Sequence, residues 1–359
     1  MIITFIYSNY PQDQIRVQLR CRNFVDAINR NGSHSANLLD LQSFIQNTPD
    51  AQALCSSSDI LVINRYLYGP VLRAVQYWKA RDKKVVVDFD QAINLLTPGT
   101  PGYSFWMEGV PLEDKLVPSQ QHQLVDPVPL EQFKWGLRLV DAVIVPTARL
   151  ADDWSQFTTV LEIPDYLNTD QYPALKHERE DEIWLGLSDN TKYNGWEISG
   201  FLQAVRMVCA ERPAIKIVIP ATALQPYDRI NVPASQVIQY QSDSFDAWAH
   251  ILPRLDIGLS PMIGDYDLRC SGINLLEFMV SKVPWIASDL LTFRSFASYG
   301  TLVQNNVEDW RSAMMNSIDQ ISLYRKKASA EPFLFALSQD INGNIEKVLK
   351  VYTSILYQA

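Results

Sequence analysis

The sequence predicts an α/β protein made of two doubly wound, parallel-sheet halves, and three observations predict it. Short apolar runs alternate with stretches of helical period, the pattern of strands buried on both faces of a parallel sheet. The alternation breaks off at a charged run, K-H-E-R-E-D-E over 176–182, and then starts afresh. At 359 residues the chain is long for one domain and comfortable for two.

Composition narrows the class. A chain 47% hydrophobic and 20% charged is globular and can bury sizeable cores. The net charge, 31 − 40 = −9, argues against nucleic acid as a partner. Cys21, Cys55, Cys209 and Cys270 form no C-x-x-C pair, which disfavours a disulfide framework or zinc site and suits a reducing compartment. The opening M-I-I-T-F-I-Y lacks the basic start of a signal peptide, and no apolar run approaches the roughly 20 residues of a membrane span. A cytoplasmic protein without a transmembrane segment is expected, with peripheral membrane contact left open.

In the first half, strands are read at Ile2–Tyr7, Asp59–Asn64, Lys84–Asp88, Ala142–Pro146 and Thr159–Pro164. Gln14–Asn31 has helical periodicity, and Gly32 stands where its C-terminus should fall. Glycine is missing from the first strand–helix turn, so a dinucleotide fingerprint is absent. Arg16, Arg20 and Arg22 read as a solvated helix face or as an anion contact. Doubly wound sheets place ligands at strand ends, which makes Arg65, Tyr68, Asp88 and Asp90 candidates for one crevice. Asp88-Phe89-Asp90 also has the form of a D-x-D metal–diphosphate motif, a three-residue signal common by chance. Thr97–Pro129 is punctuated by Pro and Gly and carries Tyr103, Phe105, Trp106 and His122; it reads as a lid or a surface insertion.

The second half gives strands at Glu182–Leu187, Ile215–Pro220, Val237–Gln241, Leu255–Ser260, Val283–Ala287 and Thr301–Val303. Helices are read at Trp196–Ala210, Phe245–Pro253 and Asn306–Leu323, with a helical segment over 332–357. The most informative stretch is Arg254–Asp289. A polar loop, Gly264–Cys270, precedes a helix with Ser271 as candidate N-cap. Glu277 lies inside L-L-E-F-M-V, on the helix face of Cys270, Asn274 and Ser281. A carboxylate there accepts bonds from ligand hydroxyls, while the helix start and Arg269 hold a phosphate. The plainer alternative is a helix Glu paired with Lys282.

This stretch resembles the nucleotide-sugar site of the family-four glycosyltransferases, which have the GT-B fold. V-D-A-V-I-V-P-T…V-L-E-I-P-D-Y-L-N is similar to the family's closing N-terminal strands, with Asp165 where Asn is usual. The family's paired glutamates are half present: Glu277 matches the second, and Arg269 stands at the first. The resemblance implies two Rossmann-like domains facing a cleft: an acceptor-side domain over 1–168, a linker over 169–182, a donor domain over 183–331, and a C-terminal helical segment over 332–359 packing back toward the first. It implies metal-independent, retaining transfer of a sugar from a nucleoside-diphosphate sugar to a glycan, lipid-linked or other acceptor, with no cofactor beyond that co-substrate. Gly186, Ser188, Lys192, Arg269, Ser271, Gly272, Asn274 and Glu277 would hold the donor. Arg16, Arg65 and Tyr68 would lie on the acceptor side, with Asp88, Asp90 and Arg269 in catalysis. Two other readings stand beside it: a non-catalytic GT-B binding or partner protein, suggested by Arg269, and a metal-dependent transferase using Asp88 and Asp90.

Overall fold

The computed structural model describes residues 1–112, 124–174, 179, 181–187, 193–220, 230–240 and 244–357. The chain divides into two units. One joins Met1–Asp165 to Ile341–Ala359, and the other is Tyr166–Asp340. The crossing falls between Asp165 and Tyr166, ahead of the linker expected at 169–182. The return comes at Ile341, not 332. Helix Glu331–Ser338 stays with the second unit because it packs on helix Ile273–Val280, and Phe335 stacks on Tyr299 with ring centroids 4.6 Å apart.

The first unit holds β1 (Ile2–Tyr7), β2 (Ser35–Asp40), β3 (Ile60–Asn64), β4 (Lys84–Asp88), β5 (Ala142–Val145) and β6 (Val160–Glu162). They form one parallel sheet in the order β2-β1-β3-β4-β5-β6. β3 and β5 are buried throughout, which explains their unbroken apolar runs. The sequence does not announce β2, a half-exposed edge strand with Ser35, Asn37 and Asp40. Helix Ile341–Leu356 completes the core, with Tyr352 edge-on to Phe5 at 6.0 Å.

The second unit holds β7 (Ile183–Leu187), β8 (Ile215–Pro220), β9 (Val237–Tyr240), β10 (Ile257–Ser260), β11 (Trp285–Ser288) and β12 (Thr301–Val303). Their parallel order is β12-β11-β10-β7-β8-β9. Its core includes Leu185, Ile217, Ile257 and Leu259 from the sheet and Phe201 and Trp310 from its helices. Each sheet therefore has one place where the strand order reverses: between β1 and β3 in the first unit, and between β7 and β10 in the second. Open α/β sheets bind ligands outside the carboxyl ends of the strands at such a reversal. Two Rossmann-like sheets thus offer two candidate sites, one in each unit.

Candidate functional site

At the reversal of the second sheet, the loop after β10 runs into helix Ile273–Val280, whose eight residues are all buried. The N-cap is Gly272, not Ser271, and glycine has no side chain with which to cap the helix. Gly272 has a packing reason: a Cβ there would meet the Phe296 ring at 2.4 Å. The same holds for Gly186, where a Cβ would meet the Leu255 side chain at 2.2 Å. Both glycines were expected among the residues that hold the donor; the space beside each Cα is filled by the protein's own side chains.

The polar residues of this stretch are held as firmly. Asn274, 1% exposed, donates through Nδ2 to Ser260 Oγ on β10, which turns it toward the sheet. Asp267 accepts from the Ile263 amide at 2.7 Å, and Arg269 donates to the Asp265 carbonyl at 2.8 Å. Glu277 is 3% exposed. Its Oε1 accepts from Tyr172 Oη at 3.1 Å and its Oε2 from Trp248 Nε1 at 3.0 Å. Burial first, and then the Glu277 carboxylate, pushes the Tyr172 hydroxyl well above its ordinary pKa and keeps it a donor. The expectation that Glu277 finds its partners on a ligand is corrected to that extent. Nothing local in the sequence points to Tyr172 or Trp248, since both pairings are long-range. Ser188 and Lys192 lie outside the described residues.

The first sheet's reversal is filled by charge. Arg65 follows β3 in the left-handed region, φ +63°, which is costly for a side-chain-bearing residue. Its guanidinium binds Asp13 at 2.8 Å, bridging the loops after β1 and β3, and lies 3.5 Å from Asp90. Asp13 also accepts from the hydroxyls of Ser8 and Tyr66. Arg16 pairs with Asp90 at 2.5 Å. Helix Gln14–Val17 continues into helix Asn23–Asn31 through a π-turn, Gln18–Arg22, where one unbroken helix was expected. The turn buries Arg20, 1% exposed, which clasps Asp88 in bidentate fashion at 2.9 and 2.7 Å and reaches Asp165 at 3.0 Å. Arg20 is thus no solvated helix residue. Burial opposes its charge, but Asp88 and Asp165 more than offset this and hold it cationic.

This network holds both carboxylates of D-x-D. Asp88, expected in catalysis, is 1% exposed and clasped by Arg20. The carboxylates of Asp88 and Asp90 are engaged by guanidinium groups, and no group of three or more His, Cys, Asp or Glu that could hold a metal ion occurs among the described residues. For Asp90, burial alone would raise the pKa; Arg16, then Arg65 and Arg20, more than offset it and hold the carboxyl below its ordinary range. Tyr68 is partly exposed and packs edge-on to Phe105 at 5.0 Å. Helix Tyr103–Glu108, inside the stretch read as a lid, buries Phe105 and Trp106, with Trp106 parallel to Tyr66 at 6.0 Å. That part is core; His122 lies outside the described residues.

No protein-family model matches the chain, and no curated protein matches it in sequence. Its fold does match solved structures. A sucrose-phosphate synthase from Thermosynechococcus elongatus is similar with a TM-score of 0.63 at 12% identity, covering 99% of each chain. Anabaena HepE, solved in complex with UDP and glucose, gives 0.60 at 11% identity over 99% of this chain and 100% of that one. A UDP-N-acetylglucosamine 2-epimerase gives 0.53 at 10% identity over 99% and 97%. The chain has the GT-B fold. No helix among the described residues is long and apolar enough to cross a membrane.

Proposed function

We propose that the protein is a glycosyltransferase whose second unit binds a nucleoside-diphosphate sugar and whose first unit binds the acceptor, a glycan or lipid-linked molecule. The observation that carries this reading is the helix start at Gly272, at the strand-order reversal of a GT-B donor-type sheet, with Arg269 three residues before it. Partial positive charge and amide donors at a helix start suit a diphosphate. Likeness to HepE, which was solved with UDP and glucose, supports the same ligand class.

In the transfer, the bond between the sugar's anomeric carbon and the diphosphate oxygen breaks while an acceptor oxygen bonds to that carbon and gives up its proton. The leaving diphosphate takes the electron pair. Arg269 and the helix start would stabilise that charge, and no metal or cofactor is required of these residues. Glu277 would hold the ribose, oriented by its bonds from Tyr172 and Trp248. We propose retention of configuration on the family resemblance. The non-catalytic reading rests on Arg269 at the family's first Glu position.

Titration calorimetry with UDP tests the donor site. Glu277→Gln and Arg269→Ala should each weaken binding about ten- to a hundredfold, since a charge-assisted hydrogen bond contributes roughly 1.5–3 kcal/mol. Parent-like binding by both variants would put the donor site elsewhere. UDP binding without turnover of any nucleotide sugar would favour the non-catalytic reading.

A further inference from the structure

The carboxyl end of the first sheet carries two backbone irregularities on one side-chain network. One is the left-handed Arg65, and the other is the π-turn at Gln18–Arg22, a feature that recurs at functional sites. Both act on the strand-order reversal between β1 and β3, where Asp13 and Arg65 meet. Such local cost persists where the surroundings over-determine it, and a plain core would not need it.

The network has a buried floor and a partly exposed rim. Arg20, Asp88, Asp13 and Arg65 are buried. Arg16, Asp90 and Gln91 at one side of the rim are partly exposed, as are Tyr10 and Tyr68 at the other. Gln91 also faces Arg16, at 2.7 Å in the amide orientation that suits both. Arg65 and Tyr66 join the sides: Arg65 reaches Asp90, while Tyr66 packs on Tyr10 at 5.6 Å and on Tyr68 at 6.3 Å. Tyr68 and Tyr10 are themselves hydrogen-bonded.

We propose that this rim is a binding site for the ring of a neutral sugar, with Asp90, Arg16 and Gln91 bonding its hydroxyls and Tyr10 and Tyr68 packing on its apolar face. The chemistry separates this ligand from the alternatives. Three guanidinium groups, Arg16, Arg20 and Arg65, face four carboxylates, Asp13, Asp88, Asp90 and Asp165, so an anionic headgroup meets no surplus of positive charge. A hydrocarbon chain would desolvate Arg16 and Asp90 without replacing their bonds to water. Sugar hydroxyls both donate and accept, so they add to a carboxylate beside a guanidinium and an amide without displacing either. Asp90 binds and orients here; held ionised by its arginines, it is a weak base.

This inference rests on the reading of the first unit as the acceptor side, and it is tested apart from the donor site. Saturation-transfer NMR on the full chain, with the methyl glycosides of glucose, galactose, mannose and N-acetylglucosamine, should give signal from at least one. Affinity for that glycoside should fall at least tenfold in Asp90→Asn, Tyr68→Ala and Gln91→Ala, while UDP titrates as in the parent. Gln91 stands outside the ion pairs with Asp13 and Asp88, so its variant keeps the test open should Asp90→Asn unfold. UDP binding without signal from any glycoside would overturn the inference, as would signal that survives all three substitutions. Signal from phosphatidylglycerol vesicles alone would do so too. A glycoside that binds where UDP does not would uphold the sugar site and remove the donor reading instead.

Discussion

The two sheet ends solve the same topological problem with opposite electrostatics. At the first reversal the protein supplies both signs of charge itself: Arg20 against Asp88 and Asp165, Arg65 against Asp13, Arg16 against Asp90. At the second, the helix starts at a glycine, Gly272, and Arg269 in the loop before it donates to the Asp265 carbonyl. A charge-balanced end has little to gain from an anion and much from a polyol. An end with helix-dipole amides and a cation beside it gains from a phosphate. On the function proposed above, the second end would suit the sugar donor's diphosphate and the first the acceptor's hydroxyls.

The contrast is broken most directly by removing Arg20. Arg20→Met would leave Asp88 and Asp165 buried without their counterion, a change that costs roughly 3–5 kcal/mol. Urea denaturation should report a loss of that size. Arg269→Ala, in a partly exposed loop, should stay within about 1 kcal/mol of the parent even as it weakens UDP. Equal losses in the two variants would mean that the ends do not differ as described.

The sequence shows most of the fold and only part of either site. Strands buried on both faces are legible because burial demands unbroken apolar runs, as at Val85–Val87 and Ile217–Ile219. β2 escapes because an edge strand faces water on one side. Site residues divide differently. Arg65, Asp90 and Tyr68 are legible as candidates because they follow the carboxyl ends of strands. Arg20 was not: the π-turn that aims it inward leaves no mark in the spacing, and Asp165 is distant in sequence. Gly186 and Gly272 were expected on the donor because close approach of Leu255 or Phe296 to a glycine cannot be told from that of a ligand until the fold is known.

A smaller effect sharpens the same comparison through pH. Asp90 has a folded-state pKa below its ordinary value, so its contribution to stability is present above the unfolded value, about 4, and is lost as pH falls through the folded one. Thermal melts of the parent should fall across that acid window. Asp90→Asn should flatten the part of the fall due to this residue, at a lower plateau near neutral pH. An unchanged acid profile in the variant would show that the pairing with Arg16 does not stabilise the unit.

The smallest expected effect comes from the second unit's own left-handed residue. Lys282, φ +58°, ends helix Ile273–Val280 at a position where glycine is the usual occupant, and its Nζ lies 4.3 Å from the Phe333 ring centre. Left-handed geometry costs a side-chain-bearing residue roughly 1–2 kcal/mol. Lys282→Gly would relieve this, but it would loosen the unfolded chain by roughly 0.5–1 kcal/mol and lose a cation–π contact of roughly 0.5–1 kcal/mol. These nearly cancel, so the melting temperature should hardly move. Arg65→Gly relieves the same strain in the first unit but also removes the guanidinium held by buried Asp13, and it should unfold several degrees earlier. If both glycine variants melt with the parent, the left-handed Arg65 is only a turn residue, and the strain offers no support for a site in the first unit.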